Sequence, residues 1–173
     1  TAEMDSAIDN LQNEIGRMSW MDGRGIFSLI NDTTPSGSAT VGIDSPGGVA
    51  GATNGGRYLN EGMLIGAINP ATGTLRAGIS TVSSVASDGT SVTFAAAPNA
   101  AWADNDYLVR VAATTTTDVS DSSYQKEPMG FLGLIDDGTY VATLHGVNRT
   151  TVPLWASTVV ANAGAWSSDV MQR

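Results

Sequence analysis

The chain has 173 residues and a formal net charge of -9, with 42% hydrophobic and 14% charged residues, which is enough apolar material for one sizeable core and too little charge for a disordered acidic tail. With no run of Lys or Arg, this acidic balance opposes direct nucleic-acid binding, and the lack of cysteine removes disulfides and thiolate metal ligands. No stretch reaches the roughly 20 apolar residues of a membrane-spanning helix.

From Ala2 to about Ser19, Met4, Ile8, Leu11, Ile15 and Met18 recur at alternating spacings of four and three among polar neighbours. This spacing puts them on one stripe of an amphipathic helix, with acids towards the N-terminal half, where the helix dipole favours them. The first residues read as the middle of a helix, and Ser167 to Arg173 reads as the start of another, so a piece of a longer protein is expected. Gly23 and Gly25 close the helix, since glycine takes the positive φ that a C-cap and a tight turn require. Ile26, Phe27, Leu29 and Ile30 then suggest a short buried strand.

Residues 31–57 are rich in Gly, Ser, Thr and Pro, and only Val41 to Ile43 hints at a strand, so they read as a long connection. From Tyr58 to about Ala113 short β segments alternate with turn signals. Met63 to Ile68 leads to the turn Asn69 to Gly73. Ile79, Val82 and Val85 lead to Asp88-Gly89, the strongest hairpin signal in the chain, followed by Val92 and Phe94. Asp104 to Val111 gives another strand, and this spacing suggests a small barrel or sandwich. Thr114 to Ser123 reads as a loop. Met129 to Ile135, the turn Asp136 to Gly138 and Tyr140 to Leu144 read as a further hairpin, and Gly146 to Trp155 as an extended exit. The expected fold class is α+β, mainly β: one long N-terminal amphipathic helix plus an antiparallel sheet with a small barrel-like or sandwich-like β insertion.

The chemistry-bearing residues favour no enzyme. His145, the sole histidine, would have to serve any imidazole-based site, and no G-x-S-x-G elbow accompanies it. Asp104/Asp106, Asp118/Asp121 and Asp136/Asp137 could offer oxygens to calcium, but none fits the twelve-residue EF-hand loop, and turn roles explain them better. Gly23-Arg-Gly25 follows a helix rather than a strand and lacks the third glycine of a dinucleotide fingerprint. The sequence therefore predicts no catalytic residue, no metal ligand and no cofactor.

Several segments, in order, resemble the major capsid proteins of tailed bacteriophages, which have the HK97-like fold. LQNEIGRMSWMDGRGIFSLI (11–30) resembles their spine helix, turn and aliphatic strand. YLNEGMLIGAI, ISTVSSVASDGTSVTF and ADNDYLVRVA resemble their paired strands, although Asn105 stands where a glycine is common. KEPMGFLGLIDDGTYVATLHGVNRTTVPLWAS resembles their closing stretch.

The resemblance implies a structural tile of an icosahedral shell around DNA, located in the virion and assembled in the host cytoplasm. Its partners would be further copies of itself and a scaffolding protein, with no specific nucleic-acid contact and no membrane. It implies peripheral-domain helix and strand over 1–30, a connection over 31–57, a β-rich insertion over 58–144 and a return to the peripheral domain over 145–173. The lysine cross-link of some such shells is not expected here, since Lys126 stands alone without matching context. Met4, Ile8, Leu11, Ile15 and Met18 are expected to carry helix packing, so Ile8→Asp or Leu11→Asp should unseat the helix by burying an unpaired charge. The alternative is a β-rich binding module of a phage fibre or tail, or of a bacterial surface protein.

Overall fold

A computed structural model describes residues 2–158. Helix α1 spans Ala2–Trp20. It leads into strands β1 (Ile26–Ile30), β2 (Thr40–Asp44), β3 (Leu64–Ile68), β4 (Leu75–Val85), β5 (Ser91–Phe94) and β6 (Tyr107–Arg110). These six close into an antiparallel barrel in the order β1-β2-β5-β4-β3-β6. A four-residue helix α2 (Phe131–Leu134) and the short pair β7 (Thr143–Leu144) and β8 (Val147–Asn148) follow. The second helix suggested by Ser167 to Arg173 lies outside the described residues.

The strands form where apolar residues alternate. Val41 and Ile43 of β2, Ile65 and Ala67 of β3, Val92 and Phe94 of β5 and Leu108 of β6 all turn inwards, as the two-residue side-chain period of a strand dictates. Phe27 and Ile30 of β1 join them because a bulge between Ile26 and Ser28 shifts the register against β6. The Asp88-Gly89 turn joins β4 to β5, with the Asp88 carboxylate accepting from the Thr90 amide at 3.1 Å. The β5–β6 connection carries Trp102, whose ring meets Phe94 edge-on at 5.6 Å and whose Nε1 donates to the Ala77 and Gly78 carbonyls at 3.2 Å. Outside β3 and β6, Ile68, Val109 and Val111 form a second cluster, covered by Val119 and Tyr124.

This architecture corrects the expected class. The chain is mainly β, and its sheet closes on itself instead of lying under a long helix. Nor is the barrel an insertion within 58–144: β1 comes from the segment assigned to a peripheral domain and β2 from the presumed connection, and both are full staves. The physical reason is edge satisfaction, because pairing β1 with β6 removes the last free row of backbone donors and acceptors. The hairpin expected over 129–144 is also displaced. Residues 131–134 are helical, and the observed hairpin turns at His145-Gly146, with His145 at φ 49° and Gly146 at φ 80°, the left-handed pair of a two-residue turn.

Among the described residues the expected packing of α1 is largely not made. Met4, Ile8, Leu11 and Ile15 are 69%, 48%, 60% and 51% exposed, and Met18 is half-buried. A closed barrel has a filled interior and leaves no open sheet face for the stripe, so the roughly 28 Å helix is held by its C-terminal end. Phe27→Ala should therefore lower stability by about 3–5 kcal/mol. Leu11→Asp should change it by less than about 0.5 kcal/mol, reversing the expectation from sequence; denaturant unfolding monitored by Trp fluorescence checks both.

Candidate functional site

The antiparallel pairings put the start of β1, the end of β2, the start of β3 and the end of β6 at one mouth of the barrel. The end of α1, the 45–63 crossing and the segment after β6 consequently gather there. Arg17 is the tie. Its side chain is buried, its Nε and Nη2 donate to Glu14 at 3.2 and 2.9 Å, and Nη2 also donates to Glu127. Its guanidinium lies 4.1 Å from the centroid of the Phe27 ring in the barrel core. Burial works to lower the Arg17 pKa, but the hydrogen bonds and charges of Glu127 and Glu14 together outweigh it and hold it above the ordinary arginine value.

Two further arginines fasten this end. Arg24 donates to Asp22 at 2.6 Å and to the Gly48 carbonyl at 3.2 Å, and its guanidinium lies 5.8 and 5.1 Å from the centroids of the Tyr107 and Tyr140 rings. Arg149, 1% exposed, is the hub of residues 130–157. Its Nη2 donates to the Gly133 carbonyl at 2.7 Å and its Nη1 to the Asp136 carbonyl at 3.1 Å. The Asp136 carboxylate accepts from the Gly138, Tyr140 and Val141 amides. Gly130 lets this unit dock, because a Cβ there would lie 2.3 Å from the Met18 carbonyl oxygen at the end of α1.

Docking leaves apolar surface in water. Trp20 and Phe131 meet edge-on at 5.6 Å yet both are exposed, as are Leu134, Ile135, Leu154 and Trp155. The chain thus carries an exposed stripe along α1 and an exposed patch around α2. The stripe residues were legible from their spacing, though their role was assigned to internal packing. The α2 patch was not, because FLGLI reads as a buried strand. Nothing in the local pattern marks Arg17 or Arg149 as buried.

His145 is exposed at its hairpin tip and makes no side-chain hydrogen bond among the described residues. Asp118 and Asp137 cap turns, each carboxylate accepting from an amide two residues on, and Asp106 is buried against Arg76, whose Nη2 donates to it at 2.9 Å. Of the acidic pairs, Asp106, Asp118, Asp136 and Asp137 are thus engaged in turns and ion pairs. Among the described residues no group of three or more His, Asp or Glu side chains is placed to hold a metal ion, and no helix is long and apolar enough to cross a membrane. No protein-family model, curated protein or solved structure matches the chain.

Two outcomes are expected from these contacts. Arg149→Met should strand the Asp136 charge and the carbonyls it serves, destabilising residues 130–157 by about 3–5 kcal/mol; hydrogen exchange should show lost protection there and retained protection in β1 to β6. Asp88, Asp118 and Asp137 are held below the usual carboxylate range, the first two chiefly by the Thr90 and Ser120 amides and the third chiefly by the Thr139 hydroxyl. A depressed folded value means that their stabilisation is present above the unfolded pKa of about 3.9 and is lost as pH falls through the folded values. Carboxyl NMR titration should place all three below that reference.

Proposed function

We propose that the chain is a structural subunit of a tailed-phage capsid, one that works by packing against further copies of itself around DNA, in the virion, after assembly in the host cytoplasm. The observation that carries this reading is the projecting α1, with four large apolar residues facing water along one stripe. Exposed apolar surface of this extent on a folded chain marks an interaction surface, and the α2 patch offers a second one on the same molecule. Two different apolar surfaces on one chain suit head-to-tail association, which builds a closed assembly when the rotation between neighbours closes and a filament when it does not. The ordered likeness of residues 11–157 to the capsid proteins supports the same reading. Scaffolding protein is a further proposed partner, and the acidic balance suits a wall that encloses DNA without adhering to it.

Negative-stain microscopy of the protein, expressed alone and with the products of its neighbouring genes, should show closed shells of uniform diameter. Leu11→Asp combined with Ile15→Asp should abolish the shells while changing folding stability by less than about 1 kcal/mol. Monomers or fibres under both conditions overturn the reading and favour the β-rich binding module.

A further inference from the structure

We propose that the cleft between α1 and the crossing that leads to β3 receives a carboxylate-bearing segment of a second copy of this chain. The choice of partner rests on the capsid reading; the contact residues go beyond it. The cleft has a volume of ≈ 640 Å³, with Gln12, Gly16, Arg17 and Trp20 on one wall and Arg57 and Tyr58 on the other. By the helical period this wall of α1 faces away from the apolar stripe, so the cleft is a separate surface.

Gly16 is the first observation. Glycine inside a helix is destabilising relative to alanine, so it needs a reason. A Cβ on Gly16 would meet nothing within 4 Å, and its φ is not positive. Gly51, Gly62 and Gly146 have the same open space, but each takes a positive φ that accounts for it. Among the described residues Gly16 has neither reason. What it does is keep the helix backbone bare where it lines the cleft, which matters only to something that enters.

Arg57 is the second. It stacks 5.5 Å from the centroid of the Tyr58 ring at the rim. Among the described residues it has no carboxylate partner, whereas Arg17, Arg24, Arg76, Arg110 and Arg149 each have one. A free cation beside an aromatic face suits a carboxylate carried on an apolar stem. A chain with a net charge of -9 is complementary to it, which makes a second copy the fitting occupant. In the same wall, the buried Nη1 of Arg17 has no hydrogen-bond partner among the described residues.

The test uses the whole chain with p-benzoylphenylalanine in place of Asn13, which lines the cleft. The sample is irradiated at assembly concentration and its cross-linked peptides are read by mass spectrometry. Expected is an adduct between copies whose partner peptide contains Asp or Glu. Its yield should fall about tenfold in both Arg57→Glu and Gly16→Leu. Gly16→Leu should at the same time keep or raise the thermal midpoint, since leucine is the better helix former. No adduct between copies, adducts only with other proteins, or undiminished yield in either variant overturns the proposal. Shells without the adduct leave the capsid reading standing and remove the cleft; the adduct in soluble pairs that never form shells does the reverse.

Discussion

Closure of the barrel through β1 and β6 is the constraint on which the rest of the structure depends. These strands lie some eighty residues apart in the chain, and their pairing makes every edge of the six barrel strands an internal one. Once closed, the barrel is a finished object whose interior holds Phe27, Phe94, Trp102 and the inward aliphatics, all buried. Every other element must therefore attach to the outside, with no further sheet face on offer. That is why α1 is held at one end and why residues 111–157 lie against the exterior and the mouth.

Attachment at the mouth relies on arginines more than on apolar packing. Arg17 joins α1 to the barrel and to Glu127, Arg24 joins the turn after α1 to the 45–48 crossing and to Tyr140, and Arg149 organises the closing unit. Buried ion pairs of this kind add little net stability, because desolvation offsets their attraction, but they tolerate few alternative geometries. In a chain with 8 Lys and Arg residues, spending three on internal ties leaves few cations on the surface. These ties hold the C-terminal end of α1 at the barrel mouth, and the large apolar side chains of α1 and α2 remain exposed.

On the proposed capsid reading, a tile needs fixed directions and unsatisfied surfaces, and the exposed side chains of α1 and α2 offer the second of these. The barrel supplies a stable body, the ties hold one end of the helix, and the stripe, patch and cleft give three chemically distinct faces. Distinct faces are what a subunit requires if it is to meet different neighbours on different sides without self-pairing at random.

The local elements were largely legible in the sequence. The spacing of Met4, Ile8, Leu11, Ile15 and Met18 specified a helix, alternation specified the barrel strands, and Asp88-Gly89 specified a hairpin, because backbone preference and side-chain period act within windows of a few residues. Tertiary structure alone decided the destinations. It placed the helical stripe in water, drew the strand at Val41 and Ile43 into the barrel, turned Phe131–Leu134 into a helix against Gly130 and the end of α1, and buried Arg17 and Arg149. Each of those outcomes depends on partners far away in the chain, such as Glu127 for Arg17 or β6 for β1. A sequence pattern states which face of an element is apolar; which surface covers that face, or whether any does, is settled only when the distant partners meet.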